Sequence, residues 1–398
     1  MKISVLLPTR NRRELLRCAI LSVLSQDYSD WEILVSDNAS EEDVASLVSA
    51  FDNPRIIYSR SSENLAVTDN WNRALAMASG DYFVMLGDDD FLLPGALGRI
   101  ADASREWASP DFFFVGALEF AYPGVVPRQP DGFVSDYNYS EFIRGKTEAF
   151  LLPTATARRM AHAALNFRLR YGFNMQFFVF RMAFAKSLES FGPFFQSPFP
   201  DYYAANVVML LAQRVVVLPD RAVAIGISPK SYGFYHLNNR EKDGMSFLSS
   251  DMTADPMLQR ILLPGSNINT SWAISMVQVK NNLSTVVKLR VGFKRYRRLQ
   301  IFSEFFAAYE HDVREGLNAL MPNLSLAEKI FAMATIPLFL AARMLQGKAR
   351  RGAFALLRLS TRQYITYWRR PVAGFPTSQS LISAWQPGWE DGGPRRVA

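Results

Sequence analysis

Apolar runs too short for helices alternate with amphipathic stretches along the first hundred residues. ISVLL at 3–7 is apolar throughout and stops at Pro8, which predicts a strand covered on both faces. Asn11 stands three positions before Glu14, the spacing of a capping box, and Leu16, Ala19, Ile20, Val23 and Leu24 then fall on one helical stripe. WEILVSD at 31–37 predicts a second strand, and Ser40 with Asp43 opens a helix through Val44, Leu47, Val48 and Phe51. RIIYS, just after Pro54, predicts a third strand. Thr68 is placed to cap a helix ending near Ser79, where Gly80 suits the left-handed position beyond the last turn. DYFVML at 81–86 predicts a fourth strand running directly into GDDD, and Pro94 stands where the following helix begins.

Strands that are apolar throughout, spaced by helices of roughly 10–15 residues, imply an α/β fold with a mostly parallel sheet between helices. Right-handed crossovers bring the carboxyl ends of such strands to one edge, and ligands bind at that edge. The polar clusters TRN (9–11), DNAS (37–40) and GDDD (87–90) each follow a strand end, so three segments converge on one crevice.

Beyond residue 110 the pattern loosens. DFFFVGALEF (111–120) predicts a strand, FFVFRMAFAKSL (177–188) a strand then a helix, and VVVLP (215–219) and AVAIGIS (222–228) two late strands. Near residue 255 this alternation gives way to long helical stretches. The expected division is an α/β domain at 1–250 and a mostly helical basic region at 251–398.

Charge separates the same two parts. Residues 280–398 carry 19 Lys/Arg against 7 Asp/Glu, or +12, which leaves −5 of the formal +7 for residues 1–279. A basic tail on a mildly acidic body points to an anionic partner, with a solvated basic face as the alternative. KIFAMATIPLFLAARML (329–345) is interrupted by Thr335 and Pro337 and is shorter than the roughly 20 residues that span a bilayer. Arg343, Lys348, Arg350 and Arg351 lie at or past its end, with Tyr364, Tyr367 and Trp368 further on. The segment therefore reads either as an interfacial helix on anionic lipid or as a helix buried against the α/β domain. The single Cys18 sits in an apolar stretch, reads as a small buried hydrophobe, and excludes an internal disulfide, as expected in a reducing compartment. MKISVLLPTRNRR has too short an apolar run for an export signal, so the expected location is cytoplasmic, with peripheral contact on the inner membrane face. No nucleic-acid-binding module is recognisable, and no nucleic-acid partner is expected.

GDDD carries the most chemistry. Three consecutive carboxylates repel one another and make poor core material, so at a crevice they call for a cation. Hard divalent cations take oxygen ligands and bridge carboxylate to phosphate. A phosphate-cradling glycine loop is absent, and a metal can replace it. The alternative is an acidic turn with Asp90 capping the Pro94 helix.

At these residues the chain resembles the inverting family 2 glycosyltransferases of the GT-A fold. LLPTRNR, VSDNAS, ENLAVTDNWNRAL and GDYFVMLGDDDFLLPGAL follow in the family's order and spacing over residues 1–100, and more loosely to about 245. The resemblance implies a GT-A type, Rossmann-like nucleotide-diphospho-sugar transferase fold with a helical C-terminal extension. It also implies a nucleoside-diphosphate sugar donor and a divalent metal, Mn²⁺ or Mg²⁺. Carried over by position, Pro8, Thr9, Arg10 and Asn11 match the nucleotide-contacting loop, and Asp37 and Asn38 the pair that reads the base, with Asn38 where a second Asp is more usual. Asn64, Asn70 and Asn72 fall at donor-facing positions. Asp89, five residues before Pro94, matches the metal-binding end of the family's DxD motif; Asp88 then lies near the ribose or the metal's waters, and Asp90 is an alternative ligand because Gly87 replaces the motif's usual first Asp.

The family's general base lies about 100 residues later, in an acidic pair opening a helix. In FGPFFQSPFPDYYAANVVMLL that place is taken by Asp201, with Pro200 where the family has Glu, and an N-cap is the alternative role for Asp201. His236 stands where the family sometimes adds a metal or diphosphate ligand; the alternative is a histidine packed among Tyr232, Phe234 and Tyr235. His162 and His311 have no supporting context. The implied reaction is a metal-assisted single displacement onto an acceptor hydroxyl of a glycan or lipid-linked glycan in cell-surface polysaccharide synthesis. A non-catalytic nucleotide-sugar-binding or scaffold protein on the same fold is the alternative. A processive synthase would need several membrane spans and a QxxRW motif, and a nucleotidyltransferase a glycine-rich N-terminal loop; neither feature is present.

Overall fold

The computed structural model describes residues 1–125, 130–238, 240–244, 248, 256–265, 267–310 and 314–345, together with 349, 353, 369–370 and 381–382. Lys348, Arg350, Arg351, His311, Tyr364, Tyr367 and Trp368 lie outside the described residues.

The predicted strands form where the apolar runs placed them. β1 (Ile3–Thr9), β2 (Trp31–Asp37), β3 (Ile56–Arg60) and β4 (Tyr82–Met85) pair in parallel in the order β3-β2-β1-β4. β2 and β4 are buried along their whole length, as strands covered on both faces must be. α1 (Arg13–Leu24) and α2 (Val44–Ser49) follow the first two strands, α3 (Val67–Ala76) follows β3, and β5 (Phe91–Leu92) and α4 (Ala96–Glu106) follow the GDDD turn. Leu16, Ala19, Ile20 and Val23 form the buried stripe of α1.

Helix starts differ from the local signals in two places. Asn11 does not cap α1: its backbone is left-handed (φ 52°), and its side-chain oxygen accepts from the Glu41 N–H at 2.7 Å. Asp43, by contrast, does cap α2, accepting from the Ser46 N–H at 3.0 Å. Thr68 lies inside α3, because its hydroxyl donates instead to the Ser197 carbonyl at 2.6 Å. Gly80 is needed for space and not for a left-handed turn, since a Cβ there would stand 2.7 Å from the Lys2 carbonyl oxygen.

The second half extends the sheet. β6 (Phe112–Ala121) is joined to β4 through β9 (Phe178–Arg181), which runs antiparallel to both. β7 (Phe133–Asp136) and β8 (Phe150–Leu152) precede α5 (Thr154–Leu165), and β9 leads into α6 (Met182–Ser187) and α7 (Pro200–Leu211). The two late apolar runs form one strand, β10 (Val215–Ile227), parallel to β6 and irregular around Arg221. The helical region contains α8 (Tyr232–Leu237), α9 (Glu241–Gly244), α10 (Pro256–Ile261), α11 (Ile268–Leu283), α12 (Phe293–Glu310), α13 (Glu315–Leu320) and α14 (Leu326–Met344). α11 packs on α7, and its Trp272 indole donates to the Ala164 carbonyl of α5 at 2.8 Å, so this helix belongs to the main core. α12 and α14 share a second, smaller core built on Ile301, Phe302, Ala332 and Ile336.

Candidate active site

Loops from β1, β2 and β4, the end of β10 and the starts of α3, α7 and α8 surround one cavity of about 360 Å³. This is the carboxyl edge of the parallel strands, where open α/β sheets bind ligands.

The GDDD turn divides its three carboxylates between different tasks. Asp90 closes the turn from inside, accepting from the Gly87 N–H at 2.8 Å, the Gly226 N–H at 2.7 Å and the Gln176 side-chain amide at 2.5 Å. Burial and then the neighbouring charge of Asp89 push its pKa up to about 8. Asp88 accepts from the Thr9 hydroxyl at 2.8 Å and pairs with the Arg12 guanidinium at 2.7 Å. Burial raises its pKa, against the pull of Arg12. Asp89 accepts from the Ser228 hydroxyl at 2.7 Å, and the Arg12 guanidinium lies 3.9 Å away. Burial works against the Arg12 cation, but the carboxylates, Asp88 above all, outweigh it and keep its pKa above the ordinary arginine value. Gly226 packs so closely under the turn that a Cβ would lie 1.9 Å from the Asp89 carbonyl oxygen.

Asp201 faces the same cavity from the first turn of α7, where Pro200 sets the helix start and Phe199 is the N-cap residue. It is half-buried, and one carboxylate oxygen accepts from the Tyr202 N–H at 2.9 Å. Burial raises its pKa to about 7. No cation pairs with it among the described residues.

The cavity wall takes in Pro8, Thr9, Arg10, Asn38, Asn70, Asp88, Asp89, Asp90, Asp201 and His236, as the sequence reading grouped them. His236 is half-buried in the last turn of α8. Four of the expected residues are not on the cavity wall. Asn11 braces the 40–41 turn, and Asp37 is fully buried beneath the edge, accepting from the Tyr58 hydroxyl at 2.7 Å. Asn64 is exposed on the loop before α3, and the Asn72 amide clamps the Phe195 backbone in both directions at 2.8 and 3.1 Å. Asn38 lines the cavity while fixing Leu65 through two backbone hydrogen bonds of 2.8 and 2.9 Å.

Several wall residues were not singled out from sequence: Arg12, Trp71, Glu119, Tyr137, Asn174 and Gln176. Glu119 had a signal, being a lone carboxylate inside the apolar run DFFFVGALEF. It is buried and accepts from the Ser135 hydroxyl at 3.0 Å.

Residues 4–184 match the model of Glycosyl transferase family 2. The chain is 34% identical over 130 residues to WcaA of Escherichia coli, a protein named for glycosyl transfer in colanic acid biosynthesis, a match over 32% of this chain and 46% of that one. It is 41% identical over 108 residues to the GalNAc(5)-diNAcBac-PP-undecaprenol beta-1,3-glucosyltransferase of Campylobacter jejuni, over 26% of this chain and 35% of the other. The chain thus spans about a third to a half of the length of these relatives. Among solved structures, Staphylococcus aureus TarS in complex with UDP-GlcNAc aligns over 90% of this chain and 88% of its own, with a TM-score of 0.50 and 16% identity, which shows the GT-A type fold. The likeness to Glycosyl transferase family 2 thus rests on residues 4–184, a little under half of the chain.

Proposed function

We propose that this chain is an inverting glycosyltransferase that moves a sugar from a nucleoside-diphosphate sugar to an acceptor hydroxyl in cell-surface glycan synthesis. The observation that carries the reading is Asp201: an uncompensated carboxylate with a pKa near 7, facing the same cavity as the 8–10 turn and GDDD. Near neutral pH such a group is matched to accept the proton of an attacking hydroxyl. In one displacement the acceptor oxygen bonds to the anomeric carbon, its proton passes to Asp201, and the bond to the diphosphate breaks on the opposite face. In this reading Thr9, Arg10 and Asn38, which line the cavity, contact the nucleotide. Trp71 offers an aromatic face to the donor.

The residues present fit a divalent cation held by few protein ligands. Asp89 meets the cavity with a single hydroxyl as hydrogen-bond donor to its carboxylate, Asp88 is beside it, and His236 lines the same space. Asp90 is the least suited, because three donors hold its carboxylate in the turn. Among the described residues no group of three His, Cys, Asp or Glu side chains forms a cage. Mg²⁺ commonly completes its shell with water and substrate phosphate, so a sparse donor set suits it or Mn²⁺. Such an ion, when bound, neutralises charge on the departing diphosphate.

The acceptor we propose is a lipid-linked glycan, by analogy with the undecaprenol-linked substrate in the name of the Campylobacter relative. The test is calorimetric titration with UDP, GDP and dTDP, with and without Mn²⁺, on wild type and Asp89→Asn. Metal-dependent binding of one nucleotide, lost in the variant, is the expected result. If no nucleotide binds under either condition, the reading is wrong.

A further inference from the structure

Ten large apolar side chains are exposed among the described residues, and eight of them lie between 286 and 345. They are not scattered there. On α14, Leu326, Ile330, Met333 and Met344 are 75%, 58%, 78% and 86% exposed, and they stand 4, 7 and 18 residues from the first. At 3.6 residues per turn these positions fall within about 40° of one line along the helix. Exposed Pro337 lies on the same line, and exposed Leu338 stands about 120° round the helix from Leu326. The opposite face, with Ala332 and Ile336, closes the small core against α12. An apolar stripe running the length of a 19-residue helix is far from the single exposed residues of an ordinary surface.

Charge next to α14 is supplied mainly by a basic segment. Glu328, the single acidic residue of α14, is neutralised by Arg297 at 2.5 Å and closes the capping box with Ser325. Residues 288–298 hold six Lys/Arg and no acid, and Lys288, Arg290, Lys294 and Arg298 are exposed. Arg298 places its guanidinium 4.8 Å from the centre of the Phe331 ring, so the basic segment lies against the flank of α14. No helix among the described residues is long and apolar enough to cross a membrane. An apolar stripe flanked by cations on a helix that cannot span is the arrangement of an interfacial helix.

We propose that α14 and the 288–298 segment form a docking surface for an anionic bilayer. The stripe enters the headgroup–acyl boundary, and Lys294, Arg298 and their neighbours meet lipid phosphates. The surface stands on its own observations; its purpose, bringing the cavity to a lipid-linked acceptor, rests on the transferase reading.

The test is co-sedimentation of the full chain with vesicles of phosphatidylcholine alone or mixed with phosphatidylglycerol. Binding is expected to the mixed vesicles and to weaken as salt is raised. Ile330→Glu with Met333→Glu, and separately Lys294→Glu with Arg298→Glu, should each reduce it by about tenfold or more. Nucleotide titration of the same variants reports whether the fold survives. Vesicle binding without nucleotide binding supports the docking surface and sinks the transferase reading instead. The proposal is overturned if the wild type stays in the supernatant, or if both double variants bind as it does. A wild-type dimer in light scattering that ignores vesicles and dissociates on substitution of the stripe would also overturn it, making the occupant a second copy.

Discussion

Arg12 and Asp88 form an ion pair of 2.7 Å beneath the cavity, joining the loops after β1 and β4 across 76 residues of sequence. The same guanidinium donates to the Lys230 carbonyl, and the Lys230 ammonium donates back to the Asn11 carbonyl, which draws the segment after β10 into the contact. One cation thus fixes three loops that each bring a piece of the site. Arg12→Met leaves Asp88 buried without its cation, and removing one partner of a buried pair costs about 3–5 kcal/mol. Chemical denaturation should show that loss as a lower midpoint. A variant as stable as wild type would mean the loops hold their places without Arg12.

On the transferase reading, Asp201 sets the pH dependence of turnover. With its pKa near 7, the carboxylate is about half protonated at neutrality, and only the ionised form can accept a proton. The kcat/KM of the wild type should therefore climb as pH rises through 7 and level off above it. Asp201→Asn should lower kcat by about 10²–10⁴-fold while nucleotide binding persists. The stability sign is opposite to that of a paired carboxylate. Because the folded pKa lies above the ordinary 3.8, the folded state holds the proton more tightly, and stability falls as pH rises from near 4 to 7. The Asn variant should show a shallower decline, because Asp88 and Asp90, whose pKa values are also raised, still contribute theirs, and this separates a role in chemistry from one in folding.

What the sequence disclosed, and what it hid, follows from the range of the interactions involved. β1, β2 and β4 were legible because strands covered on both faces must be largely apolar, a property of each segment alone, whereas β3 is partly exposed and was marked by its short IIY run after Pro54. The caps assigned to Asn11 and Thr68 were plausible locally, but their side chains serve Glu41 and Ser197, partners 30 and 129 residues away. Asn72 is taken by Phe195 in the same way. The insertion of antiparallel β9 between β4 and β6, and with it the arrival of Gln176 at Asp90, depends on pairings that no local pattern encodes. The three adjacent aspartates look equivalent in sequence. Only the backbone donors of Gly87 and Gly226 show that Asp90 faces inward.

Gly226 tests how much the turn depends on its support. Its N–H donates to Asp90, and the missing side chain lets the Asp89 carbonyl approach where a Cβ would stand at 1.9 Å. Gly226→Ala must push the turn outward, because the atoms its Cβ would meet most closely are the backbone carbonyl carbon and oxygen of Asp89. Overpacking of this kind costs about 1–3 kcal/mol. Displacement of Asp89 should weaken metal-dependent nucleotide binding more than the modest loss of stability accounts for. Unchanged nucleotide affinity in Gly226→Ala would show that the position of Asp89 is not set from below.

At the opposite edge of the sheet, a buried Glu32 provides a stability test that leaves the cavity untouched. Lys2 approaches it at 2.5 Å, the Ser4 hydroxyl donates at 2.6 Å and the Ser79 N–H at 2.8 Å, tying the starts of β1 and β2 to the loop before β4. Burial opposes ionisation, yet the hydrogen bonds from Lys2, Ser4 and Ser79 outweigh it and hold the pKa below the ordinary 4.5. A depressed folded pKa contributes stability that is fully present above the unfolded value and is lost as pH falls through the folded one. Wild type should therefore weaken below about pH 4.5, whereas Glu32→Gln, already lacking the charge, should be less stable at pH 7 and show a flatter acid limb. Nucleotide binding by Glu32→Gln should match wild type at temperatures where both are folded. A variant that keeps wild-type stability at pH 7 would show that the three hydrogen bonds only offset the cost of burying the charge, and that the network fixes geometry without adding stability.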